Sequence, residues 1–198
     1  QLSDVERRSR FVTDDQIPSL AALGHISQSF SEMRVNVRTF LLATNTAERA
    51  KARALFDEDE NDLARQLRDY GDKLLSDDRD RRLYNQYLDS TREWTAGAKQ
   101  VMSLVEAGRR DEATTLWNNQ VSAIGVRLSG ASKDWIEHNE QLAADASKAA
   151  IAEIDSFRWD MAAANATALI LTSLLGFFTF RRIVKPICAL EGSVRAIA

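Results

Sequence analysis

The sequence predicts an all-α protein: an antiparallel up-down four-helix bundle whose fourth helix continues into a transmembrane helix. Three observations carry that expectation. Only eight glycines and two prolines occur in 198 residues, too few for the turns of a many-stranded sheet. Apolar residues recur at alternating spacings of three and four, the seam of helices packed in a left-handed bundle. Residues Met161 to Phe180, MAAANATALILTSLLGFFTF, hold twenty positions without a charge, enough at about 1.5 Å per residue to cross the roughly 30 Å hydrocarbon core of a bilayer.

The first helix, over roughly 3–44, carries the row Leu23, Ile26, Phe30, Met33, Val37 and Phe40, and Thr44-Asn45-Thr46 stops it with residues that cap helices. The second, over roughly 46–75, has the weaker row Phe56, Leu63, Leu67, Tyr70 and Leu74 and ends at Ser76-Asp77-Asp78. The third, over roughly 78–107, aligns Tyr84, Tyr87, Thr91, Trp94, Ala98, Val101 and Val105 before Ala107-Gly108-Arg109-Arg110 breaks it. The fourth starts near 111 with Trp117, Val121, Ile124, Leu128, Ala131, Trp135, His138 and Leu142. No glycine or proline falls between Ala131 and Leu175, so this helix is expected to run on into the apolar segment. Turns this short make consecutive helices antiparallel.

Charge divides the chain. The formal total is −3, but residues 161–198 carry +3 and residues 1–160 carry −6. A balance this modest excludes a nucleic-acid binder that works by bulk charge. Arg181, Arg182 and Lys185 directly follow the apolar run, which places the carboxyl side in the cytoplasm and residues 1–160 outside. Trp159 at one edge, with Phe177, Phe178 and Phe180 at the other, occupies interfacial belt positions. The single cysteine, Cys188, forms no intrachain disulfide, so the bundle is held by its core. No signal peptide is present at Gln1, and the chain is expected to be part of a longer one.

A helical bundle of about 160 residues, one span, and then Arg-Arg-Ile-Val-Lys-Pro-Ile-Cys-Ala-Leu over 181–190 resembles a methyl-accepting chemotaxis receptor of the four-helix-bundle sensor type. Pro186-Ile187 with Leu190, and Ile197 seven residues later, resembles the first helix of a HAMP relay domain. The resemblance implies three parts: a periplasmic ligand-binding domain over 1–160, a transmembrane helix over 161–180 and the start of a cytoplasmic HAMP domain over 181–198. It implies a homodimer paired through helix 1 in a bacterial inner membrane, with the first transmembrane helix ahead of Gln1. Small ligands would bind near the membrane-distal end, and binding would shift helix 4 along its axis. Cytoplasmic kinase-coupling machinery would be reached through downstream domains. Related bundles also stand on histidine kinases and cyclic-di-nucleotide enzymes, so the output stays open, as does a bundle that docks a periplasmic binding protein.

Met33 to Leu42 resembles the stretch where such receptors carry ligand-binding arginines, here Arg34 and Arg38. Two guanidiniums at i, i+4 point the same way and offer paired donors to a carboxylate. They belong to a second row on helix 1, Leu20, Gly24, Ser27, Ser31, Arg34, Arg38 and Leu41, whose small members allow a close approach of two helices. The opposite wall is expected from Trp117, Asn118, Asn119 and Gln120, where two asparagines in a helical pattern indicate a local bend or a hydrogen-bonding duty. The family's Pro-Thr is missing there, so a dicarboxylate, a tricarboxylate and an aromatic acid fit equally. Alternatively the ligand lies within one protomer, among Trp94, Thr95, Lys99 and Trp117.

Other features read as structural. Consecutive acids Asp57-Glu58-Asp59-Glu60 point in different directions on a helix, whereas a metal needs converging oxygens. His138 sits at a core position. There is no glycine-rich phosphate loop, no nucleophile with a base at workable spacing and no metal motif, so no enzyme activity, metal or cofactor is expected.

Overall fold

A computed structural model describes residues 6, 7, 10–179, 181 and 182. Helix α1 is Ile17–Leu42, α2 Thr46–Lys73, α3 Asp78–Glu106, α4 Arg110–Leu116 and α5 Ser122–Thr179. A π-helical turn, Phe11–Gln16, leads into α1. A second, Trp117–Val121, joins α4 to α5, so these three pieces form the fourth helix of the bundle. The chain divides into two compact units, Glu6–Lys148 and a second that takes in residues 149–179. The HAMP-like residues Pro186, Ile187, Leu190 and Ile197, with Lys185 and Cys188, lie outside the described residues.

The helices alternate in direction. Ser29 meets Gln66 and Asn36 meets Asp59, so partners on α2 fall in number as those on α1 rise. The three turns follow their sequence signals. Asn45 caps α2 by accepting the Glu48 N–H at 2.9 Å, while the Glu48 carboxylate accepts the Thr44 N–H at 3.2 Å, a reciprocal capping arrangement. Asp77 and Asp80 repeat it on α3: Asp77 accepts the Asp80 N–H at 2.7 Å, and Asp80 accepts the Ser76 N–H at 2.8 Å. After α3, Gly108 has φ +78° and the Arg109 N–H bonds back to the Leu104 carbonyl. Such a left-handed stop falls on glycine because it has no Cβ to clash.

The core repeats the expected rows. All six residues read on helix 1, Leu23 to Phe40, are buried, as are Phe56, Leu63, Leu67 and Tyr70 of α2. Each such side chain contributes about 1.5–3 kcal/mol when taken out of water. Leu41 corrects the second row of helix 1. It is 9% exposed and belongs to the core. The last turn of α1 is closed over because Arg110 Nη2 donates to the Ala43 carbonyl at 2.7 Å.

One core layer is polar. Asp80 is fully buried and accepts from Tyr70 Oη at 2.9 Å, Trp135 Nε1 at 2.5 Å, Asn139 Nδ2 at 3.2 Å and the Ser76 N–H. Four donors from two other helices and a turn offset the cost of desolvating the carboxylate. Burial, and then the Asp80 charge, push the Tyr70 hydroxyl far above its ordinary pKa, so it stays a proton donor. His138 Nε2 lies 3.1 and 3.2 Å from the two Asp77 oxygens, at its expected core position.

The unit of residues 149–179 is different in kind. Among the described residues one helical run is long and apolar enough to cross a membrane, and its apolar stretch is uncovered: Leu169 is 70% and Leu175 69% exposed. Thr167 and Thr172 return their hydroxyls to the carbonyls of Ala163 and Ala168, an arrangement compatible with an apolar surrounding.

Candidate functional site

Toward the end of the bundle that carries the α1–α2 turn, α3 supplies Trp94 to the core, fully buried. The Phe30 ring packs edge-on against it at 4.9 Å between centroids, and the Trp117 ring does so at 6.5 Å. This run of rings borders both arginines. Arg34 Cζ lies 5.9 Å from the Phe30 centroid, and Arg38 Cζ 5.9 Å from the Trp117 centroid, within reach of cation–π attraction. The i, i+4 spacing on α1 puts both guanidiniums on one face, over the two outer rings of the run, with Trp94 between those rings.

The arginines' polar needs are less well met. Arg34 Nη1 donates to Ser129 Oγ at 3.1 Å, and Ser129 in turn donates to the Gly125 carbonyl. Among the described residues neither Arg34 nor Arg38 makes an ion pair. Partial burial, and next the Arg38 charge, push the Arg34 guanidinium below its ordinary pKa. The two cations therefore feel each other, and an anion between them would relieve both.

Two further features converge here. Trp94 Nε1 is buried without a hydrogen-bond partner, which is rare in a native core. Gly125 on α5 lets Trp94 and Arg34 pack close against the helix: a methyl placed there would lie 3.1 Å from Trp94 Nε1 and 3.4 Å from Arg34 Nε. A glycine inside a helix costs about 1 kcal/mol against alanine, and that cost was the sequence signal for this position. Ser129 had no comparable signal.

Arg34, Arg38 and Trp117 thus come together, joined by Trp94. The amides lie elsewhere. Asn118 is exposed, and its side chain makes no hydrogen bond among the described residues. Asn119 and Gln120 border a shallow groove with Gln100, Arg109 and Glu112 on the α3–α4 side. The bend expected from the paired asparagines takes the form of the π turn, in which the Ser122 N–H bonds five residues back to the Trp117 carbonyl. Single π turns of this kind occur often at functional sites. Thr95 and Lys99 face a separate cleft between α2 and α3, where Lys99 Nζ bonds Glu60 at 2.6 Å. The acids 57–60 diverge, Asp57 toward Arg53, Asp59 toward Asn36 and Glu60 toward Lys99.

Comparison with known proteins bears on the whole bundle. No curated protein matches this chain. The family model of the four helix bundle sensory module for signal transduction matches residues 1–154, which takes in all four helices and every residue of the aromatic and arginine cluster. An apolar helix able to cross a membrane follows the matched region. The chain therefore belongs to the four-helix-bundle sensory modules of signal-transduction receptors, the module of methyl-accepting chemotaxis receptors.

Proposed function

We propose that this chain is the sensing and membrane-spanning portion of a chemoreceptor, and that it binds a small organic acid in the periplasm through Arg34 and Arg38. One observation carries the site: two guanidiniums one turn apart, without a carboxylate partner, beside a buried indole N–H that donates to nothing. A carboxylate supplies the missing charge and acceptor together. Trp117 forms the apolar wall under Arg38. In a homodimer paired through α1, the partner's arginines add to the cluster, and the acid stabilises the arrangement that brings them together. A ligand shifts the equilibrium only by that difference in affinity.

The displacement then passes along α5 through the span at 161–180, in a bacterial inner membrane, to a HAMP domain beginning at 181. Kinase-coupling machinery in the cytoplasm receives it through domains downstream. α5 has no break from Ser122 to Thr179, as a transmitting element requires.

The test is binding of a panel of di-, tri- and aromatic carboxylates to the chain in lipid nanodiscs, followed by tryptophan fluorescence. An acid that binds is expected to lose about tenfold or more in affinity with Arg34→Gln and with Arg38→Gln, since each removes a charge-assisted hydrogen bond worth about 1.5–3 kcal/mol. If both variants bind that acid as the wild type does, the arginines are not its site.

A further inference from the structure

Between α2 and α3 lies a cleft of about 590 Å³, within the range of small-molecule sites. It shares no lining residue with the Arg34–Arg38 cluster. Its floor is apolar, made by Leu63 and Leu67 of α2 and Leu88 of α3. Side chains cross between the two helices near both ends. At one end the Lys99–Glu60 ion pair bridges the helices at 2.6 Å. At the other, the Tyr84 ring lies across Gly71, where any Cβ would come within 2.6 Å of Tyr84 Oη. A cleft bounded in this way suits a compact ligand.

The polar groups on its walls are mostly donors. Arg68 makes no ion pair among the described residues. Arg92 has only Asp89, at 3.2 Å with both side chains more than two-thirds exposed, a contact of little energy that a bound anion can replace. Thr91 lines the cleft and is 8% exposed, and its Oγ1 is buried without a partner. A helical threonine ordinarily returns its hydroxyl to the carbonyl one turn back. This one does not, so it is available to a ligand. Arg68 of α2 and Arg92 of α3 line the same cleft as this hydroxyl, and the acid at the cleft, Glu60, is already paired with Lys99.

From a leucine floor, two available guanidiniums and a free hydroxyl, we infer that the α2–α3 cleft is a second binding site, specific for an amphipathic monocarboxylate with an aryl or short alkyl body. The apolar body lies on Leu63, Leu67 and Leu88, and the carboxylate takes Arg68, Arg92 and the Thr91 hydroxyl. This site stands apart from the proposed arginine pair on α1. Each can fail without the other.

The probe is 3-(4-fluorophenyl)propanoate, with binding to the whole chain in nanodiscs followed by fluorine NMR and empty nanodiscs subtracted. Wild type is expected to bind it, and to bind the matching neutral amide about tenfold more weakly. The Arg68→Gln/Arg92→Gln double variant is expected to lose about tenfold for the acid and nothing for the amide. Ala96→Trp, at an exposed position on the cleft wall, fills the space and removes binding of both while leaving the melting temperature near wild type. The inference is overturned by any of three results: no binding at millimolar probe, binding unchanged in both cleft variants, or binding lost through Arg34→Gln while the cleft variants keep it. That last outcome would move the aryl acid to the α1 site and leave the proposed function standing.

Discussion

The bundle contains two aromatic layers built alike and finished differently. In one, Trp135 packs edge-on against Tyr70 at 4.7 Å, and in the other Trp94 packs edge-on against Phe30 at 4.9 Å. Both tryptophans are buried. Trp135 gives its N–H to Asp80, which also binds Tyr70, Asn139 and the Ser76 N–H. Trp94 gives its N–H to nothing. A satisfied polar network fixes one packing and resists change. An unsatisfied donor beside two unpaired cations raises the free energy of the empty state, which a ligand can lower. The first layer is read as the fixed point of the bundle and the second as the part left to be completed.

The largest test of that contrast is Asp80→Ala. It removes the shared acceptor of three side-chain donors and one backbone N–H in the core, leaving Tyr70 only Asn139 Oδ1 at 3.4 Å and Asn139 the Trp135 carbonyl at 3.1 Å, with an expected loss of about 3–5 kcal/mol. At about 2–4 °C per kcal/mol for a chain of this size, melting followed by circular dichroism should fall by roughly 10 °C. A drop no larger than that of the exposed Asp89→Ala would leave the polar layer without its anchoring role. A sharper comparison replaces each indole by a ring without the N–H. Trp135→Phe takes a donor from a buried carboxylate, whereas Trp94→Phe removes a donor that had no acceptor, so the first should cost about 1–3 kcal/mol more than the second. Equal losses would erase the distinction between the layers.

The smallest effect concerns pH. Burial alone would raise the Asp77 carboxyl, but the Asp80 N–H, His138 and the Arg79 N–H outweigh it and hold the group below its ordinary pKa. A carboxyl depressed in the folded state stabilises the fold above its unfolded value of about 4, and that stability is lost as pH falls through the lower folded value. The Asp77 side chain is 39% exposed, so screening limits the gain to less than about 1 kcal/mol. Asp77→Asn keeps the cap, because asparagine caps as well as aspartate, and it should flatten the acid side of the melting-temperature profile by that amount. An unchanged profile would mean that the fold does not hold the Asp77 carboxyl below its ordinary pKa.

Much of this was legible in the pattern of residues. The helix 1 row from Leu23 to Phe40 and the turn signals at Asn45, Asp77 and Gly108 all appear where spacing and capping chemistry put them. Those features are local, set by the neighbours of each residue in the chain. Asp80 and Asn139 escaped because a charged or amide side chain on a helix reads as surface. Asp80 depends on Tyr70 and Trp135, and Asn139 on Tyr70 and Asp80, partners on other helices that no single-helix pattern contains. Leu41 was misread for a related reason, since Arg110 closes the α1 end from far along the chain. The cluster of Arg34, Arg38 and Trp117 was visible as chemistry, but Asn119 and Gln120 parted from it because the π turn changes which way they face.

That turn also leaves a mark in the spacing. Ala113, Trp117 and Val121 are all buried, two steps of four in succession where a straight α-helix would soon need a three. One surplus residue is therefore stored in the winding of the fourth helix, and each residue of an α-helix corresponds to about 100° about its axis. Deleting Asn118 or Asn119 would return that turn to ordinary α winding and leave Gly125 and Ser129 facing as they do now, whereas the same deletion in a straight stretch of helix would swing everything after it through that angle. The fourth helix thus behaves as a screw with one thread out of step, set one turn above the glycine that faces Arg34.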